Sequence, residues 1–344
     1  MNLARRHVLI GMGAGLASCA KPSARHTAPL SLDRGRLDRE FAAIATRARP
    51  GLLNAGIAIV STGETWSADD RTRMPLQSVF KAALAGAALA EVDAGRLRLD
   101  ERITVTAEDL SPLSTAMNAA WPTPPDGHVV TMPTIDLIAL AVQQSDNTAA
   151  DVIMKRIGGP GAVTGWLRSK QIDDFTVDRY ERELQQELAG MPPFRPEWKD
   201  KAVWIAARDS VASESREAAA NAYLADPRDT TTVPAALKFL RLLALGQLLS
   251  PTSTNLLLRL MTHTDTGLRR LRAALPASAS LAHKTGTAPT DLGRTPAVND
   301  IGIVTLADGR QFAIAVFLAG STATEAERDQ LIADTAQLAI RAIS

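Results

Sequence analysis

The chain has a single cysteine, Cys19, in 344 residues. No internal disulfide can therefore hold the fold, even in an oxidising compartment. Net charge is almost absent too, because 38 basic and 37 acidic side chains leave only +1. Without a surplus of one sign there is no long-range field to gather nucleic acid or an acidic membrane surface, so no nucleic-acid partner is expected. Histidine is scarce and scattered: His7, His26, His128, His263 and His283 show no paired helical spacing and no cysteine partner. That argues against a zinc site and against a Ser-His-Asp triad. The apolar stretch from Val8 to Ala17 is too short to span a bilayer. What is present is a 46% hydrophobic composition, that of a soluble globular protein with material for about two domains.

Arg5-Arg6 precede that short apolar stretch, and residues 1–20 read as an export signal absent from the working protein. Cys19 follows Leu16-Ala17-Ser18, a string resembling the bacterial lipoprotein cleavage box, after which the cysteine is acylated. Ordinary cleavage after Ala20 is the alternative, and the paired arginines are a loose match to a twin-arginine signal. The expectation is a periplasmic or cell-envelope location, with a lipid anchor to the membrane through Cys19 and a linker over residues 21–32.

Residues 33–48 read as a helix, Gly56 to Val60 as a buried strand, and Thr65 to Ala68 as its hairpin partner. Ser78 to Asp93 is rich in alanine and leucine and stops at Gly95, which predicts a helix opened by Ser78. From about 132 to 274 the pattern is mostly helical. Then Leu281 to Thr287, Ile301 to Leu306 and Gln311 to Leu318 read as strands, with Asp308-Gly309 as a hairpin turn, before a helix from about Thr324 to Ile343. Strands at both chain ends fit an α/β (α+β) three-layer fold, with one antiparallel sheet built from both termini and helices flanking it. The expected division is an α/β domain from 33–80 and 275–344 and an inserted all-α domain over 81–274, with a site between them.

Three strings carry the chemistry: Ser78-Val79-Phe80-Lys81, Ser145-Asp146-Asn147 and Lys284-Thr285-Gly286-Thr287. The first alone is weak, since Ser18-Cys19-Ala20-Lys21 matches it in the leader. Only Ser78 stands at a predicted helix start, where Lys81, three residues on, shares its face. A serine hydroxyl is a poor nucleophile until a base takes its proton, and a desolvated lysine among cations can do that. Taken singly, Ser78 could be a helix cap, the second string a turn, and Lys284 a solvent-facing guard of an edge strand.

In this order, S-x-x-K, S-D-N and K-T-G resemble the signature of class A β-lactamases and penicillin-binding proteins. Gln144 to Ala150 extends the likeness, as does Asp178 to Leu184, similar to the start of the class A omega loop, with Arg228 to Thr232 similar to its close. The resemblance implies a serine β-lactamase that hydrolyses the cyclic amide through a covalent acyl-enzyme. Ser78 would be the nucleophile, Lys81 a base, Ser145 the donor to the leaving nitrogen and Glu181 the base for hydrolysis. Asn147 would hold the substrate's side-chain carbonyl. Lys284, Thr285, Gly286 and Thr287 would line the wall that holds the ligand carboxylate, with the N–H groups of Ser78 and Thr287 as oxyanion hole. No metal or organic cofactor is implied, the partner is a small β-lactam, and a monomer is expected. A penicillin-binding receptor or peptidoglycan peptidase, acylated but slow to release, is the alternative.

The departures from the family pattern are as informative. The stretch between Glu181 and Asp229 is much longer than the usual omega loop. The excess, about 186–225, is marked by Pro192, Pro193 and Pro196, with a helix predicted from Lys201 to Ala225. It is expected either to fold over the pocket or to be a surface excursion. Gln185 and Asp151 stand where the family commonly has asparagine, and Leu110 lies near the place of a common aromatic gate. Arg270 aligns with the place where a minority carries a substitute for the arginine beside the K-T-G strand. An Arg179 to Asp229 ion pair is expected to pin the neck of the loop.

Overall fold

A computed structural model gives the conformation of residues 29–114, 116, 117 and 129–344. The export signal, Cys19 and the first part of the linker lie outside the described residues. Five antiparallel strands form the main sheet: β1 (Leu52–Ile59), β2 (Thr65–Ser67), β3 (Ser280–Thr287), β4 (Thr295–Thr305) and β5 (Gln311–Ser321), in the order β2-β1-β5-β4-β3. The sheet thus draws on both ends of the chain, as its sequence predicts. Chain reversal between β4 and β5 falls at Asp308-Gly309, where Gly309 has φ +85° and Asp308 accepts the N–H of Arg310.

β4 is longer than its apolar segment suggested. It runs back to Thr295 and buries Asn299 and Asp300 in mid-strand. These polar side chains are tolerated because they are bonded: Asn299 donates to the carbonyls of Pro75 and Leu76, and Asp300 accepts from His283 and from the N–H of Leu271. The bonds to Pro75 and Leu76 also tie the sheet to the segment that leads into Ser78.

One face of the sheet is covered by α1 (Arg34–Arg47) and α11 (Glu325–Ala342), whose apolar stripes enclose Leu37, Phe41, Leu331 and Leu338. α11 starts with a reciprocal cap between Thr324 and Glu327. The other face meets α2 (Phe80–Asp93), apolar nearly all round and therefore central. Around it pack α3 (Thr134–Gln143), α4 (Asn147–Arg156), α5 (Pro160–Ser169), α9 (Val233–Ala244) and α10 (Pro251–Thr262).

The extra segment is not the single helix its pattern predicts. α6 (Glu181–Leu188) is followed by α7 (Lys201–Asp209) and α8 (Ser213–Ala225), with a break at 210–212. At the break the Ser210 hydroxyl donates to the carbonyl of Ala207, a local bond that competes with helix continuation.

Candidate active site

The nucleophile's segment departs from a simple helix start. Gln77 has φ +44°, and Gln77–Val79 is a 3₁₀ turn ahead of α2. Ser78 makes no capping bond there; its hydroxyl points instead to Lys81, whose Nζ lies 3.1 Å away, and to Glu181 Oε1 at 3.3 Å. Lys81 Nζ also meets the Ser145 carbonyl at 2.8 Å, Asn147 Oδ1, and Glu181 Oε1 at 3.2 Å. The two ion-pair side chains are 0% and 1% exposed. Residues far apart in sequence thus converge on one oxygen. The Glu181 carboxylate stands within hydrogen-bond reach of the Ser78 hydroxyl.

Ser145 stands at φ +58°, a strained conformation for a residue with a side chain, and its hydroxyl accepts from Lys284 Nζ at 3.0 Å. Burial, and then the charge of Lys81, holds the Lys284 ammonium well below its usual range. Asn147 spends one amide hydrogen on the Pro112 carbonyl at 2.8 Å, leaving the other for a ligand.

On β3 successive side chains alternate between the two faces. Lys284 and Gly286 face the helical layer, while Thr285 bonds Thr266 and Thr287 bonds Arg270 on the other side. A Cβ at Gly286 would stand 2.6 Å from the Leu76 carbonyl and 3.2 Å from the Ser78 nitrogen. Only glycine lets the strand approach the nucleophile so closely.

A cavity of about 650 Å³ opens on this cluster, lined by Ser78, Ser145, Asn147 and Thr287. The remaining candidate residues support its floor and wall from behind. Arg270 is among these. Its guanidinium bonds Asp329, the Asn299 carbonyl and, at 2.8 Å, the Thr287 hydroxyl, so it orients Thr287 instead of lining the cavity. Leu110 is also displaced from its expected place: it is fully buried in the core, and Leu113, at φ +61°, stands at the mouth. The far wall comes from the extra segment, through Trp204, Ile205 and Arg208 of α7.

Four residues whose roles were not evident from the sequence position the acid. Asp151 accepts the N–H groups of Glu181 at 2.7 Å and Arg182 at 3.0 Å, so α4 tethers the first turn of α6. Gln185 donates to Glu181 Oε2 at 2.9 Å and to Gln77 Oε1 at 3.2 Å. Gln77 in turn donates to the buried hydroxyl of Tyr223 on α8 at 2.7 Å. The unusual glutamine and aspartate noted above were the only sequence signals of this arrangement.

Burial, and then the neighbouring Glu181 charge, pushes the Asp151 carboxyl up to about 7 against its bond from Ser111. An unfolded aspartate releases its proton near pH 4, about 3.9. Between those values the folded protein binds more protons, so this group's contribution to stability falls as pH rises and levels off above the folded value. Asp151→Asn is expected to remove that slope. Urea unfolding of both proteins between about pH 4 and 8 should show the parent losing stability relative to the variant; parallel curves would contradict the assignment.

The beta-lactamase enzyme family model matches residues 36–343. The chain is 28% identical to beta-lactamase VEB-1 of Pseudomonas aeruginosa over 286 residues, 82% of this chain and 83% of the relative. It is 29% identical to extended-spectrum beta-lactamase PER-1 of the same organism over 315 residues, 87% and 90% of the two chains. Among solved structures, an ancestral (GNCA) class A beta-lactamase aligns with a TM-score of 0.70 at 33% identity, covering 89% of this chain and 99% of that one. A beta-lactamase from Chitinophaga pinensis aligns with a TM-score of 0.71 at 29% identity, covering 89% and 98%. With its three motifs gathered around one serine and its sheet assembled from both termini, the chain belongs to the beta-lactamase enzyme family, as a serine hydrolase of the class A type.

Proposed function

We propose that the protein hydrolyses β-lactams by way of an ester on Ser78. The observation that carries this reading is the Glu181 carboxylate held 3.3 Å from the Ser78 hydroxyl and 3.2 Å from Lys81. Ser78 Oγ attacks the lactam carbonyl carbon and gives its proton to Lys81 or Glu181, both in reach. The Ser145 carbonyl and Asn147 Oδ1 fix Lys81 Nζ beside the Ser78 hydroxyl. The N–H groups of Ser78 and Thr287 take the developing oxyanion. The carbon–nitrogen bond then breaks, Ser145 passes its proton to the nitrogen and receives in turn the proton taken from Ser78, which leaves Glu181 a free carboxylate again, while Lys284 holds the Ser145 hydroxyl in place. For release, Glu181 takes a proton from water, the hydroxide attacks the ester, and Ser78 leaves as the alcohol. Two easier steps replace one hard one.

Incubation with a penicillin followed by intact-mass measurement tests the route. A transient adduct that returns to free mass supports it, whereas a persistent adduct would make the protein a slow-releasing penicillin receptor. From its leader, the enzyme works in the periplasm, anchored through a lipid on Cys19. Cys19→Ser should move it from the membrane pellet to the soluble fraction, and an unchanged distribution would rule the anchor out.

A further inference from the structure

His283 and Asp300 form a buried pair that the hydrolytic route leaves unused. Both side chains are 0% exposed, and His283 Nδ1 lies 2.8 Å from Asp300 Oδ1. His283 precedes Lys284 on β3, and Asp300 on β4 stands directly across from Thr285, the residue that follows it. By strand alternation the pair lies on the sheet face opposite to the one Lys284 uses, among the core residues that α11 covers. A carboxylate sealed in such a place is costly unless its charge is met.

The hydrogen bonds fix the state of the histidine. Its Nε2 is buried and has no partner. An imidazolium would leave a charged N–H unmet there, which costs more than an unmet lone pair on a neutral ring. His283 is therefore a neutral ring that gives its Nδ1 proton to Asp300. Asp300 also accepts the Leu271 N–H at 3.3 Å and keeps its negative charge.

Three cations and three carboxylates crowd this part of the sheet. Lys81 on α2 is taken by Glu181 on α6 at 3.2 Å, and Arg270, between α10 and β3, by Asp329 on α11 at 2.8 Å. Lys284 Nζ bonds two neutral oxygens, the Ser145 hydroxyl and the Thr285 carbonyl, and among the described residues no carboxylate forms an ion pair with it. Asp300 is the carboxylate left over, since a neutral His283 does not cancel it. Burial and then Lys81 lower the Lys284 ammonium, and Asp300 is the strongest influence in the other direction, ahead of Glu181.

Resting on the hydrolytic reading above, we propose that Asp300 is the counter-charge of Lys284 across the sheet and that His283 pins it, so that the pair sustains capture of the β-lactam carboxylate without touching substrate. Both are positioning residues.

The test compares a penicillin with its methyl ester, which has the same nucleus and no anionic carboxylate. On the alkaline side of the pH profile, Asp300→Asn should lower kcat/KM for the free acid about 10-fold or more, which is what deprotonation of Lys284 about one pH unit earlier amounts to. The loss should fall on KM more than on kcat. A neutral Lys284 can still donate to Ser145, so the ester should change less than about twofold. The alkaline limb for the free acid should move to lower pH. With Asp300 neutral, Lys284 is left among Lys81, Arg270, Glu181, Asp329 and His283 and gives up its proton sooner as pH rises. Equal losses on acid and ester would make the pair merely structural, and no loss on either would make Asp300 idle; both results would overturn the proposal. His283→Phe should weaken free-acid turnover in the same sense, because an unpinned buried carboxylate takes up a proton. A rise instead would show His283 to be a cation that cancels Asp300, and the proposal would fail. Nitrogen NMR of the parent, which depends on no variant folding, should find His283 neutral and protonated on Nδ1 between about pH 5 and 8; a doubly protonated ring would overturn the counter-charge. Absence of parent turnover on both compounds would defeat the hydrolytic reading and this inference with it, while turnover with acid and ester equally affected would defeat only the inference.

Discussion

Glu181→Gln is expected to trap the protein as a stable penicilloyl ester on Ser78. An amide cannot accept the proton of the attacking water, and loss of a positioned base slows such a step by about 10²- to 10⁴-fold. Acylation should be affected less, because Lys81 remains 3.1 Å from the Ser78 hydroxyl. The variant should fold, since Lys81 keeps the Ser145 carbonyl and Asn147 Oδ1 as acceptors when the carboxylate is gone. Intact mass read over time after a penicillin pulse would show the adduct persisting in the variant and vanishing in the parent. Release at the parent's rate in both would remove Glu181 from its role.

Arg179→Ala is expected to be the most damaging change at a residue that touches no substrate. Arg179 binds Asp229 through Nε at 2.6 Å and reaches Glu187 and Asp226 through Nη1. Asp229 also accepts the N–H groups of Asp178 at 2.7 Å and Arg179 at 3.2 Å, and its own N–H goes to Asp178. The two ends of a long excursion are thus stitched together two residues ahead of Glu181. Arg179 and Asp229 are 5% and 2% exposed. Removing one partner of such a pair leaves the other charge unmet in the interior, at a cost of roughly 3–5 kcal/mol. Denaturant unfolding should show that loss, and penicillin turnover should fall with it as Glu181 loses its anchor. Asp229→Asn combined with Arg179→Ala should cost less than the sum of the two, as for any coupled pair. A loss under about 1 kcal/mol, the range of exposed ion pairs, would mean that the neck is held by other contacts.

The parts of the site legible in the sequence are those encoded locally. Ser78 and Lys81 lie within one turn, Ser145 and Asn147 within three residues, and Lys284 to Thr287 along one strand, so a string suffices to find them. The sheet was legible where strands were apolar, and its assembly from both termini followed from strands at both chain ends, whereas the strand order was not read from the sequence. It was least legible at Asn299-Asp300, because hydrogen bonds to Pro75, Leu76 and His283 are not visible in a local pattern. Leu110 shows the same limit: alignment by position placed it at the mouth, but packing drew it into the core and left Leu113 there. The contact between Gln77 and Tyr223 depends on where α8 comes to rest, which no local propensity decides.

The chain of amides from Tyr223 through Gln77 and Gln185 to Glu181 bears on how this enzyme can be remodelled. Cutting the excursion back to the length common among its relatives would withdraw a phenol from the residue next to the reactive alcohol. A donor on Gln77 would then face nothing, in a backbone conformation that already favours glycine. Transplanting a shorter loop would therefore require a new residue at 77 as well, and a glycine there is the natural first choice for such a graft.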